Sequence, residues 1–133
     1  MKKINWGIIG LGHIANQFAN AFSIIDNAKI KGIASFDKDK LQSFKKRFNI
    51  EDKLCFDNYK DLILSPSIDI IYIALPNSLH AKYISECINQ KKNILVEKPA
   101  FINLKDLSLL KDELQKEKIF FHGSFYVSIF TLF

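Results

Sequence analysis

The sequence predicts an α/β domain: a doubly wound parallel sheet covered by helices on both faces, three layers in all. Three observations predict it. Short, nearly continuous apolar runs alternate with stripes of helical period along the whole chain. Glycines close the first run at Gly10 and Gly12, and 133 residues suffice for one domain with a substantial core.

The first apolar run, Ile4 to Ile9, stops at glycine as a buried parallel strand does. The period then changes. Ile14, Phe18 and Phe22 recur every fourth residue with Ala15 and Ala19 beside them, one apolar helical stripe. Ile30 to Phe36 reads as the second strand, and Asp37 is placed to cap a helix whose stripe is Leu41, Phe44 and Phe48. A short strand is expected near Leu54 to Phe56. A brief helix from Tyr59 to Leu64 follows, broken by Ser65 and Pro66. Ile68 to Leu75 is the most β-branched stretch and predicts a central strand, after which Pro76-Asn77-Ser78 opens a helix carrying Ala81, Ile84 and Ile88. Asn93 to Val96 predicts another strand, closed by Glu97-Lys98-Pro99. Leu107, Leu110 and Leu114 mark a further helix, and a last strand begins at Ile119. With no repeat or linker, residues 1–123 form one domain and 124–133 an apolar tail.

Composition narrows the function. Hydrophobic residues at 48% and charged residues at 25% exclude disordered and collagen-like chains. The net charge of +5 comes from lysines dispersed through the helical segments, which reads as a solvated surface and not as a nucleic-acid site. Cys55 and Cys87 stand far apart, without metal-ligand spacing, and read as small core hydrophobes. No secretory signal pattern and no run of about 18 apolar residues is present, so the expected location is cytoplasmic, away from the membrane.

The first strand runs into Gly10-Leu11-Gly12-His13-Ile14-Ala15, a G-x-G-x-x-A turn opening a helix. This is the Rossmann-type fingerprint. Gly10 permits the tight turn, Gly12 lets the backbone approach a pyrophosphate, and Ala15 allows close packing of helix on strand. The diphosphate then meets unpaired N–H groups at the positive end of the helix dipole. The second strand should present the group that meets the adenosine ribose. A carboxylate there suits NAD and basic groups suit NADP. Ser35 stands at that place, with Asp37, Lys38 and Lys40 following, so both cofactors stay open.

The sequence resembles the glucose–fructose oxidoreductase, inositol dehydrogenase and MocA (Gfo/Idh/MocA) family of NAD(P)-dependent oxidoreductases. Three stretches carry the resemblance: Trp6-Gly7-Ile8-Ile9 with the glycine turn, Ile73-Ala74-Leu75-Pro76-Asn77-Ser78-Leu79-His80-Ala81, and Ile94-Leu95-Val96-Glu97-Lys98-Pro99. The Trp-Gly opening and the Pro-Asn-Ser-Leu-His stretch are most similar to the dihydrodiol dehydrogenase-like branch. The resemblance implies hydride transfer between NAD or NADP and a sugar, polyol or diol. It implies that Leu75, Pro76, Asn77 and His80 line the cofactor, along with His13 and Ile14 in the turn. Glu97 and Lys98 would flank the nicotinamide and substrate, with Lys98 as the catalytic residue steadying an alkoxide or relaying its proton. Read without the family, Glu97-Lys98-Pro99 is a charged turn and His80 a surface residue at a helix start.

Members of that family are more than twice as long, and a second domain completes their site. Here Ser124 to Phe133 is almost wholly apolar and uncharged. The expectation is a nucleotide-binding domain that is incomplete for catalysis, its tail open to self-association or to a complementing chain. The alternative expectation is a non-catalytic dinucleotide-binding module or one piece of a split enzyme.

Overall fold

A computed structural model describes residues 3–96, 112–113, 115–117, 119 and 121–123. The strands are β1 (Ile4–Ile9), β2 (Ala28–Ala34), β3 (Cys55–Phe56), β4 (Ile70–Ile73), β5 (Asn93–Val96) and β6 (Phe121–Gly123), and the helices α1 (His13–Asn20), α2 (Lys38–Phe48), α3 (Tyr59–Leu64) and α4 (His80–Asn89). The strands form one sheet in the order β3-β2-β1-β4-β5-β6, and every neighbouring pair is parallel. Chain order runs outward from β1 to β3, then returns to place β4 on the other side of β1. The strand order therefore reverses between β1 and β4, and a crevice opens at their carboxyl ends.

Period-two alternation divides the core. Ile8, Ile33 and Tyr72 pack under Ala15 and Ala19 of α1 and Leu41 and Phe44 of α2. Their sequence neighbours Ile9, Ala34, Ile71 and Ile73 pack against Leu62 and Ile63 of α3 and Tyr83, Ile84 and Cys87 of α4. Each central strand is buried on both faces, which is why it reads as an unbroken apolar run. Cys87 is fully buried and burial pushes its thiol up, and Cys55 shifts the same way for the same reason. Both cysteines are free.

Several expectations shift by a residue or two. β2 spans Ala28–Ala34 in place of 30–36, because its ladder with β1 runs from Ile4–Ala28 to Ile9–Ala34, where β1 ends. Phe36 is consequently outside the strand and 63% exposed. β4 is shorter than residues 68–75, since β1 offers it only Trp6–Ile9 as partners. β3 begins at Cys55, with Leu54 closing a 3₁₀ turn before it. Ile14 departs from the expected stripe at 47% exposure, while Ala15 and Ala19 face the sheet. Phe18 and Phe22 pack with Trp6, each pair of ring centroids 5.2–5.6 Å apart, and Phe18 also stacks on Tyr72 of β4 at 4.0 Å. The last strand, expected from Ile119, is β6 at Phe121–Gly123, and Ile119 is buried outside it. Glu97, Lys98, Pro99, the stripe Leu107, Leu110 and Leu114, and the tail 124–133 lie outside the described residues. No helix among the described residues is long and apolar enough to cross a membrane.

Candidate nucleotide site

The turn between β1 and α1 sits at the crevice. Gly10 has φ +90°, and a Cβ there would stand 2.5 Å from Ala74 O and 2.8 Å from Leu75 Cδ2. Only glycine fits both the backbone angle and the space. Gly12 differs. Its backbone is extended at φ −87°, ψ −163°, and a Cβ would meet no described atom within 4 Å. Ala15 is fully buried and seats α1 on the sheet. Among the described residues no side chain caps the first turn of α1, and no acidic residue lies in that turn. Its free N–H groups carry the positive end of the dipole beside the open Gly12 position.

Two shallow clefts meet at this turn. One, of about 320 Å³, brings Gly10, Gly12, Ser35, Asp37, Leu75 and Pro76 together. The other, of about 410 Å³, is lined on the α1 side by His13 and Asn16 and on the α2 side by Asp39 and Ser43. Leu11, Gly12 and Lys40 belong to both. Ser35 is buried, and its hydroxyl accepts a hydrogen bond from the Asp37 amide at 3.0 Å, which turns the chain from β2 toward α2. Asp37 caps α2 as expected: Oδ1 accepts from the amides of Asp39 at 3.0 Å and Lys40 at 3.2 Å. The reading of Asp37 as a ribose ligand therefore competes with a structural task already performed.

Phe36 also lines the smaller cleft. Its ring stands edge-on to Tyr59 with centroids 4.7 Å apart, and Tyr59 stands edge-on to Tyr83 at 5.1 Å. Burial raises the Tyr59 hydroxyl above its ordinary value, and the neighbouring Tyr83 adds to the shift. Phe36 was not a sequence candidate. The available signal was a large aromatic just past the polar end of a strand that feeds the ribose position.

Across the crevice, Leu75 is buried against Gly10, while Pro76 and Asn77 are exposed. His80 is fully buried, contrary to the surface position its place at a helix start suggested. Its Nε2 lies 2.7 Å from Leu75 O; a carbonyl can only accept, so Nε2–H donates. That bond fixes the carbonyl end of β4 and so the wall of the crevice. Ser35, Asp37, Leu75 and Pro76 converge on the cleft, and His80 sits behind Leu75. His13 and Ile14 stand exposed at the start of α1, and Asn77 lies just beyond Pro76. Among the described residues no group of three His, Cys, Asp or Glu side chains is arranged to hold a metal ion.

Comparison with known proteins agrees with this geometry. The chain is 29% identical over 130 residues to trans-1,2-dihydrobenzene-1,2-diol dehydrogenase of Xenopus tropicalis, covering 96% of this chain and 39% of that protein. It is 34% identical over 116 residues to glucose-6-phosphate 3-dehydrogenase of Bacillus subtilis, covering 87% and 31% respectively. A 3-ketoreductase from Actinomadura kijaniata, solved with TDP-benzene and NADP in an open conformation, superposes with a TM-score of 0.85 at 26% identity, covering 93% of this chain and 39% of that one. The chain thus spans between 31% and 39% of the length of these proteins. The family described as "Oxidoreductase family, NAD-binding Rossmann fold" matches residues 4–124. That match takes in every described strand, and the chain belongs to this Gfo/Idh/MocA family of NAD(P)-binding oxidoreductases.

Proposed function

We propose that the Gly12 turn binds the diphosphate of a nicotinamide dinucleotide, and that the chain is the nucleotide-binding part of an oxidoreductase acting on a carbinol of a sugar, polyol or diol. One observation carries the reading. Neither the backbone angle nor the packing of Gly12 requires glycine, yet a ligand pressed against that backbone does. The names of the diol and sugar-phosphate dehydrogenases among its relatives support the substrate class.

The bound nicotinamide supplies the hydride chemistry. The chain's own groups bind and orient it. Amides of the first α1 turn grip the diphosphate, Leu75 and Pro76 bound the crevice, and His80 holds Leu75 in place. The 2′-phosphorylated cofactor suits the ribose end better. Ser35 brings no charge, Asp37 Oδ1 is committed to two amides, and Lys40 lines both clefts. Lys98, two residues beyond β5, is the group we assign to the developing alkoxide.

A thermal-shift titration with NADH and NADPH tests this. A ligand at a hundred times its dissociation constant stabilises the native state by about 2.7 kcal/mol, a rise in Tm of several degrees. We expect that rise with NADPH and a smaller one with NADH at equal concentration. No shift with either would end the proposal, and a larger shift with NADH would end the preference.

A further inference from the structure

The largest cleft among those described lies at the opposite end of the sheet from the glycine turn. This groove, of about 590 Å³, is walled by the last turn of α1, the start of β2 and the end of α2. Its volume is that of a ligand-sized site. Four cationic residues line it, Lys3, Lys29, Lys31 and Arg47, against a single acid, Glu51. Among the described residues none of the four forms an ion pair, while Glu51 is paired with Lys53 at 3.5 Å. Arg47 spends two donors on the neutral amides of Asn16 and Asn20, at 2.9 and 3.0 Å, so its charge stays uncompensated.

The backbone contributes to this charge. Trp6 pairs with Ile30 and Gly7 with Gly32, so Lys31 is an extra residue bulged out of the β1–β2 ladder. Strict alternation would send neighbouring residues to opposite faces, yet Ile30 and Lys31 both line the groove. Bulges re-aim side chains in this way. Apolar groups accompany the charge: Ile25 lines the groove at 39% exposure, and Ile24 beside it is 84% exposed.

We propose that this groove docks an acidic segment of a partner polypeptide bearing aliphatic side chains. Charge complementarity calls for carboxylates, and the exposed isoleucines call for apolar anchors. A single-stranded nucleic acid would leave the isoleucines unused. It would also find no free aromatic platform, because Phe22 packs on Trp6 and Phe18, and Phe48 packs on Phe44 and under Arg47. A membrane surface meets convex faces, and this one is concave. A second copy of the chain would bring the same positive groove to itself.

The test uses the whole chain and a fluorescein-labelled peptide of about twelve residues repeating Glu-Glu-Leu, followed by anisotropy. Trp6, the sole tryptophan, packs on groove-lining Phe22 and gives a second, intrinsic signal. We expect saturable binding that is at least about tenfold tighter than that of an all-Glu peptide or an oligouridylate of equal length. It should weaken severalfold as salt rises from about 0.15 to about 0.5 M. The double reversal Lys29→Glu, Lys31→Glu should weaken it at least about tenfold, and Ile24→Asp severalfold, with circular dichroism confirming both folds. Should the double reversal fail to fold, Ile24→Asp and the salt series decide. No binding at roughly 1 mM peptide would overturn the proposal. So would equal binding of the all-Glu peptide, the oligouridylate or phosphatidylserine vesicles, or folded variants that bind as the parent does.

Discussion

Two helix N-termini stand side by side at the carboxyl edge of this sheet, and they are built in opposite ways. α2 begins at Asp37, whose carboxylate accepts two amides of its own first turn. α1 begins at Gly12, with no side-chain cap among the described residues and an open position where a Cβ would go. A cap is worth roughly 1 kcal/mol, so leaving α1 without one forgoes stability at no benefit to the fold. The difference teaches where a ligand belongs: α2 satisfies its dipole internally, and α1 reserves its amides for something else.

The largest effect we expect comes from breaking the α1 side. Gly10→Ala drives a methyl to 2.5 Å from Ala74 O in a backbone with φ +90°. We expect a loss of roughly 2–4 kcal/mol, read as a lower midpoint in urea. The next sharpens the α2 side. Lys40→Ala removes the cation shared by the two clefts without touching the Asp37 cap, which uses the Lys40 backbone amide. NADPH affinity should fall about tenfold while NADH affinity stays within about twofold, measured by calorimetry. Asp37→Ala then strips α2 of what α1 already lacks, at a loss of about 1 kcal/mol in a denaturant melt.

The smallest effect lies at the far end of α2. There Lys45 holds Asp52 at 2.6 Å, and their hydrogen bond and attraction keep the Asp52 carboxyl below its ordinary value. A carboxyl lowered by folding stabilises the native state above its unfolded pKa, and that contribution disappears as pH falls through the folded one. Asp52→Asn should slightly flatten the acid limb of Tm against pH. The effect should fade in salt because the pair is solvent-exposed.

Much of this was legible from local pattern. β1, α3 and β5 lie where apolar runs bounded by Gly, Pro and polar residues placed them, and the glycine turn lies at the β1–α1 junction where the two clefts meet. The ends of β2 and β4 were not, because ladder partners on β1 decide where those strands stop. Ile14 fits a helical period and still faces outward, since α1 meets the sheet through Ala15, Phe18 and Ala19. The burial of His80 was not legible because its partner, the Leu75 carbonyl, is a backbone group that no residue pattern advertises. Phe36 enters the site through the Ser35 hydroxyl bond that bends the chain, a tertiary detail invisible to periodicity.

The most direct test converts one N-terminus into the other. Gly12→Asp gives α1 the cap that α2 has and places a carboxylate where the diphosphate is proposed to sit. We expect the unliganded protein to melt no lower than the parent, with a gain of a few tenths of a kcal/mol, and the NADPH-induced rise in Tm to vanish. A variant that folds normally and still shows the full NADPH shift would contradict a phosphate grip at Gly12.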